Sequence, residues 1–405
     1  MLIVSNKQIN YVFVVLFLSV ALNPEWNSNP LIWWGSFLFA VATLIYSNSF
    51  KISIPNRNFL AWSGSFFIVC VLSCIYAINA TQSIDILKTL IPLFVFLLIL
   101  DGVIKTKEDL EKYIMLYLIS TFILIIYVYV NVDLKSFQLA QHGFVSMNMW
   151  NGNDVGTKCA IFVIISLYFI KNNNSLFKRL VLLAALGLSL YLVFCTASRK
   201  AILIVVLGLC LLLYLNHPSK RLRNIFIIVA VLYSGYTRVM TIPEWYNTIG
   251  WRLEGAIAII TGRGSADSSA LLRAEYIEVG WEAFKENPIL GYGINNYRLI
   301  NLQATGHQTY SHNNFIEILV GIGIVGFFIY YSFYLKLTVD YIKVYLKRLT
   351  TPLINTIAVC FIMMFLMHVA VVSYYSIGQN IIILFFAKAL QLRRNITQDV
   401  AFDES

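Results

Sequence analysis

The sequence predicts an all-α integral membrane protein of about twelve transmembrane helices with one large helical loop on the outer side. Three observations predict it. The 405 residues are 59% hydrophobic and only 12% charged, whereas a soluble domain carries about 25% charged residues. The apolar residues fall in long blocks of roughly 15 to 21, enough to cross a bilayer as a helix. The blocks lack the alternation of a barrel strand, and lipid offers no partner to an open backbone, so helices satisfy the peptide groups best.

In order, the expected spans are Ile9–Leu22, Leu31–Ser47, Phe59–Ile78, Leu87–Ile104, Tyr113–Val132, Val155–Ile170, Leu180–Thr196, Ala201–Leu215, Asn224–Gly235, Phe315–Leu335, Leu353–Val372 and Ser376–Leu390. The first and ninth are the shortest. The first follows a lone Lys7 and lacks a small-residue cleavage site, so it reads as a retained span rather than a signal peptide. Cys70, Cys74, Cys159, Cys195, Cys210 and Cys360 all lie inside apolar segments. They predict small buried hydrophobes, with no disulfide framework and no zinc spacing.

Orientation follows from Lys and Arg. One alternate set of connections holds Lys51 and Arg57, Lys105, Lys107 and Lys112, Lys171, Lys178 and Arg179, Lys220, Arg221 and Arg223, and Lys336, Lys343, Lys347 and Arg348. Lys7, Arg393 and Arg394 fall on the same side. The short connections of the other set are almost bare, apart from Lys88, Lys135, Arg199 and Lys200. This positive-inside pattern predicts cytoplasmic termini. The net charge of +10 is then largely a topology signal, and no basic domain offers a dock for nucleic acid. Four regions result: nine helices over 1–235, a large outer loop over 236–314, three helices over 315–390, and a cytoplasmic tail over 391–405.

The loop from Tyr236 to Asn314 carries Arg238, Arg252, Arg263, Arg273, Lys285 and Arg298. Long loops translocate regardless of charge, and loops of this length are usually functional. Within it, Leu271 to Glu286 predicts a helix, with N-cap candidates at Asp267 to Ser269 and a stop at Asn287-Pro288. Arg273 shares a stripe with Ile277, Gly280 and Phe284, so a charge lies on the packing face. A charge there is costly unless paired or functional. A second outer connection, Asp133 to Asp154, ends "MNMWNGND".

Three short motifs stand out. "GIGIVG" (Gly321, Gly323, Gly326) matches a dinucleotide fingerprint, but it lies inside an apolar helix and lacks the preceding strand. Its plain reading is small residues that let a neighbouring helix approach. Before it stands "SHNN". Asn314 and Glu317 have N-cap and N3 spacing, which leaves His312 and Asn313 just outside the first turn. The positive end of the helix dipole favours an anion there and a neutral imidazole able to act as a base. In "FCTASRKA", Arg199 and Lys200 sit in a tight outer turn between two spans, with Lys158 a weaker case nearby. Arginines suit phosphates, and aromatic residues such as Trp150, Trp245, Trp251, Trp281, Tyr292 and Tyr297 suit sugar rings or lipid head groups. No paired carboxylates, serine triad or metal-ligand cluster appears in the outer segments, where Asp154, Glu244 and Glu254 are scattered. A reaction on a lipid-linked phosphate at the membrane surface fits these residues.

At these residues the chain resembles the O-antigen ligase/polymerase superfamily of bacterial envelope glycosyltransferases. "TASRKA" is similar to the family's Ser/Thr-Arg between two spans. "LLRAEYIEVGWEAFKENPILGYGINNY" resembles the arginine helix of its large periplasmic loop. "SHNNFIEILVGIGIVGFFIYY" fits its His-Asn, nine residues, Gly, two residues, Gly pattern at His312-Asn313, Gly323 and Gly326. The resemblance covers Thr196 to Tyr331, and the first five spans match by hydropathy alone. It implies a GT-C-like fold in the bacterial inner membrane and a metal-independent, inverting transfer at the periplasmic face, with no cofactor. The implied donor is a glycan on undecaprenyl diphosphate, with membrane lipid and a chain-length regulator as further partners. Carried over, Arg199 and Arg273 would hold the diphosphate and His312 would position or deprotonate the acceptor hydroxyl. Asn313, Lys200, Trp281 and Tyr292 would contact substrate. Polymerase members join repeat units and ligase members move finished chains to lipid A–core. The wording of "NPILGYGINNY" and "SHNNFIEIL" resembles polymerases more. A protein O-oligosaccharyltransferase is another member type. A flippase would line a midplane path and show related halves, which this sequence does not.

Overall fold

The computed structural model describes residues 6–48, 52–141, 150–251, 253–255 and 268–403. Asp267, Arg252 and Arg263, and the "MNM" of the second outer connection, lie outside the described residues. The described chain is helical, with no strand among the described residues.

The first half contains α1 (Asn6–Leu22), α2 (Pro24–Asn27), α3 (Pro30–Ser47), α4 (Arg57–Tyr76), α5 (Ala80–Val103), α6 (Lys107–Asn131), α7 (Leu134–Gln141), α8 (Gly152–Asn172) and α9 (Leu176–Cys195). The second contains α10 (Arg199–Asn216), α11 (Arg221–Thr241), α12 (Pro243–Trp245), α13 (Ser268–Glu286), α14 (Tyr297–Thr305), α15 (Asn314–Leu346), α16 (Pro352–Leu366) and α17 (Ile377–Asp403). Among the described residues, ten helices are long and apolar enough to cross a membrane. The other two expected segments are α1, whose apolar part Ile9–Leu22 is shorter, and α17, which carries Lys388, Arg393 and Arg394. The protein is an all-α, multi-pass membrane protein.

Helix starts follow short polar side chains that satisfy otherwise orphaned N–H groups. Asn29 accepts from Leu31 N and Ile32 N, Thr106 and Asp109 form a reciprocal capping box, and Ser198 accepts from Ala201 N. As its Asn-Pro stop predicts, α13 ends at Glu286. Helix α1 packs on α3 and α6, α8 on α9 and α10, α4 on α15, and α16 on α10 and α17. The core is aromatic. Phe17 meets Trp33 and Phe96 at ring separations of 5.3 and 4.6 Å. Trp62 stacks on Phe333 at 5.0 Å and donates its indole N–H to the Tyr330 carbonyl at 2.8 Å. That bond satisfies the one polar atom of a buried indole.

The glycines of "GIGIVG" do something the sequence reading did not anticipate. Helix α15 breaks at Ile322 (φ −132°, ψ 18°) and Gly323 (φ 64°, ψ −169°). A loop, not a neighbouring helix, enters the break. Ile324 N donates to the Pro288 carbonyl at 2.9 Å, and Tyr292 N donates to the Val320 carbonyl at 2.8 Å. A Cβ on Gly323 would lie 2.1 Å from the Ile289 carbonyl oxygen. Only glycine supplies both that space and that positive φ. The same loop is tied to the α4–α5 corner. Tyr76 Oη donates to the Leu290 carbonyl at 3.0 Å, Ile78 N to the Tyr292 carbonyl at 3.1 Å, and Ser83 Oγ to the Ile294 carbonyl at 2.7 Å. "NPILGYGIN" thus anchors the large loop to three helices. The anchored loop in turn sets where α13 lies against α15. Gly280 makes that contact close, since a Cβ there would sit 2.2 Å from an Ile316 methyl group.

Candidate active site

The "SHNN" turn is held by its own backbone. Ser311 N donates to Glu317 Oε2 at 2.9 Å, Ser311 Oγ donates to the Asn313 carbonyl at 2.7 Å, and Asn313 N donates back to Ser311 Oγ at 3.2 Å. This fixes His312 at φ 56°, a left-handed conformation that few residues adopt. The helix cap is one residue earlier than the sequence spacing implied. Asn313 Oδ1 accepts from Phe315 N at 2.9 Å and Ile316 N at 3.1 Å. Asn314 is released for another task. Its Oδ1 accepts from Ser373 N at 2.8 Å and Tyr374 N at 3.1 Å, and its Nδ2 donates to Tyr331 Oη at 2.9 Å.

The half-buried His312 ring lies 4.2 Å from the ring of Tyr310 and stacks at 6.2 Å with Tyr276 of α13. Burial, then the Arg273 guanidinium, then the Lys200 ammonium, push its pKa down to about 3. The imidazole is neutral at physiological pH and able to take a proton.

These groups line a cavity of about 400 Å³. Lys200 enters from α10, Arg273 from α13, Tyr310 and His312 from the turn before α15, and Asp154 and Lys158 from α8. Beyond them the wall is apolar, with Leu22, Trp33, Leu93, Ile161, Met364 and Ile377. Lys158 Nζ bonds Asp154 Oδ2 at 2.6 Å and the Leu22 carbonyl at 2.8 Å. Asn153 Oδ1 accepts from Ser198 Oγ at 2.9 Å, which joins "WNGND" to "TASRKA". Asp154, read from sequence as scattered, is thus part of the cavity. Glu254 is engaged with the Tyr246 hydroxyl at 2.6 Å in the large loop.

The remaining expected residues take other places. Arg199 is the first residue of α10 and half-buried, and the cavity lining includes its neighbour Lys200 rather than Arg199 itself. Trp281 is exposed and packs on Phe284. Tyr292 Oη donates to Glu286 at 2.8 Å while its backbone joins the broken helix. Neither ring is among the described residues that line the cavity.

Sequence reasoning missed one whole wall. The link 370–376 between α16 and α17 contributes Ala370, Val371, Val372, Ser373, Tyr375 and Ser376. Three motif residues grip this link or its edge. Lys200 Nζ donates to the Ala370 carbonyl, Asn313 Nδ2 to the Val369 carbonyl at 3.5 Å, and Asn314 takes the two N–H groups already described. The polar letters of "AVVSYYS" were the available signal.

Residues 184–331 match the family described as O-antigen ligase. This match supports the resemblance to the O-antigen ligase/polymerase superfamily over that segment. The matched segment runs from α9 into the broken helix α15, and so includes Arg199, Lys200, Arg273 and His312. Asp154, Lys158 and the link 370–376 lie outside it. No curated protein matches the chain. The match supports an O-antigen ligase- or polymerase-type activity, glycosyltransferase-like, on lipid-linked glycans in the membrane.

Proposed function

We propose that the protein polymerises undecaprenyl-diphosphate-linked repeat units into O-antigen or capsular polysaccharide, by metal-independent inverting transfer at the periplasmic face of the inner membrane. The observation that carries this reading is the amphipathic cavity. A neutral imidazole and three cations (Lys158, Lys200, Arg273) share it with an apolar wall of the kind a lipid-linked diphosphate needs.

In this reading His312 Nδ1 or Nε2 takes the proton of an acceptor hydroxyl. The hydroxyl oxygen attacks the anomeric carbon from the face opposite the phosphate. The bond from anomeric carbon to phosphate oxygen breaks, and undecaprenyl diphosphate leaves with the electron pair. Arg273 and Lys200 stabilise the charge that grows on it. Arg199, beside Lys200, adds positive potential from the start of α10. Among the described residues the lining offers one carboxylate, Asp154, and one imidazole, which favours cationic side chains over a divalent ion for this task.

Transfer of the glycan to lipid A–core is the second reading, favoured by the matched family's own description. Purified protein in detergent with EDTA, given lipid-linked repeat units with or without lipid A–core, separates the two. A ladder of longer lipid-linked chains without lipid A–core supports the polymerase. Product only on lipid A–core supports the ligase. No new glycosidic bond in either, with lipid-linked units moved across the membrane by the same protein reconstituted into vesicles, makes the protein a flippase.

A further inference from the structure

Ser373 sits at the middle of the link 370–376. It lines the cavity, yet it is only 4% exposed. Its Oγ is buried and has no hydrogen-bond partner among the described residues. Its backbone is not free to wander, because Ser373 N and Tyr374 N are both held by Asn314. Asn314 is two residues from His312, and Ala370, three residues before Ser373, receives Lys200. The backbone that carries the unsatisfied hydroxyl is therefore fixed in the wall beside the residues already assigned to the chemistry. A buried hydroxyl without a partner is unfavourable in the empty protein. It gains its missing bond if the side chain turns towards a ligand with matching polar atoms in the cavity.

Resting on the reading of the cavity as a lipid-linked glycan site, we propose that Ser373 is a sugar-reading residue, whose hydroxyl hydrogen-bonds a hydroxyl group of the saccharide held at His312. A serine hydroxyl both donates and accepts, as a sugar hydroxyl does, whereas a diphosphate only accepts and is better matched by Lys200 and Arg273. The position of Ser373 in the chain agrees. The family-matched segment 184–331 contains the diphosphate cations and the histidine, while Ser373 lies beyond it. Shared chemistry and the reading of a particular glycan are thus divided between two parts of the chain.

The test compares purified Ser373→Ala with wild type in binding two ligands: undecaprenyl diphosphate bearing its repeat unit, and sugar-free undecaprenyl diphosphate. The glycan-bearing lipid should bind about fivefold more weakly to the variant. The sugar-free lipid should bind equally to both proteins. The melting temperature should be unchanged or higher, since the substitution removes an unsatisfied buried group. Equal binding of both lipids to both proteins overturns the proposal. Equal weakening of both lipids overturns it too, by moving the hydroxyl to the diphosphate. A lower melting temperature with loss of both assigns Ser373 a structural role instead. If wild type binds neither lipid, the reading of the cavity falls, and this proposal with it.

Discussion

Asn314 Oδ1 accepts the backbone N–H of Ser373 at 2.8 Å, across 59 residues of sequence. The bond ties the histidine turn to the link between the last two long helices. Asn314 is fully buried, and its amide also reaches Tyr331 Oη. Asn314→Ala therefore orphans two buried N–H groups, while the Tyr331 phenol keeps His368 Nδ1 at 3.1 Å. Each orphaned group costs about 1–3 kcal/mol, so the variant should melt well below wild type in detergent. Asn313→Ala, which removes an ordinary helix cap, should cost about 1 kcal/mol. An Asn314→Ala protein that melts with wild type would show that the link is not held this way.

The pH dependence follows from His312. Its pKa is about 3 in the folded protein, against an ordinary value of 6.5. The unfolded chain binds more protons there between those values, so this contribution to stability is present above pH 6.5 and is lost as pH falls towards 3. For activity, the imidazole stays deprotonated through pH 5, and the rate should show no acid limb near 6.5. Removing a nearby cation should raise the limb. Lys200→Met should shift the acid limb of kcat/KM upward, and a profile that breaks at pH 6.5 in wild type would contradict the burial of His312.

Glycine substitutions should separate the two roles of "GIGIVG". Gly323→Ala forces a Cβ to within 2.1 Å of the Ile289 carbonyl oxygen, at φ 64°. That backbone atom cannot move without losing the Ile324–Pro288 bond. Gly326→Ala meets only Ile322, whose Cγ1 at 2.3 Å can turn while its Cβ at 2.8 Å needs a small backbone shift, and Gly326 needs no positive φ. Gly323→Ala should fold poorly or lose activity, and Gly326→Ala should be milder. Thermal unfolding and yield of the folded protein read the difference, and equal behaviour would contradict the docked loop.

Lys200 and Arg199 make opposite predictions for donor binding. Lys200 lines the cavity and lowers the pKa of His312, and Arg199 does not line it. Lys200→Ala should weaken undecaprenyl diphosphate binding about tenfold, as loss of a charge-assisted bond does. Arg199→Ala should have the smaller effect. The reverse order would return the diphosphate to Arg199, as the resemblance implies.

Much of this architecture was legible in the sequence. Apolar block length gave the helices, the Asn-Pro pair gave the end of α13, and the order of three motifs pointed to the family that residues 184–331 match. Arg273 and His312 meet because one lies on the packing stripe of α13 and the other in the turn before the helix it packs on. What was not legible depends on residues far apart in the chain. Whether glycines admit a helix or a loop is decided by Pro288 to Tyr292, some thirty residues earlier. Adjacent Arg199 and Lys200 differ by about 100° around a helix, so the rotation of α10 chooses between them, and no local pattern reports it. Ser373 and Tyr375 were hidden because the flanking apolar blocks nearly meet. The "SHNN" cap moved by one residue because Ser311 and Glu317 close the turn on each other.

Glycosidic bond formation in this cavity rests on His312 as the base. Its direct test is single-turnover transfer by purified wild type and His312→Ala, each loaded with the same undecaprenyl-diphosphate-linked repeat unit. Wild type should lengthen the glycan and release undecaprenyl diphosphate. His312→Ala should bind the donor as tightly and form product about 10²–10⁴-fold more slowly. No new glycosidic bond from wild type, or a wild-type rate from His312→Ala, would contradict the account.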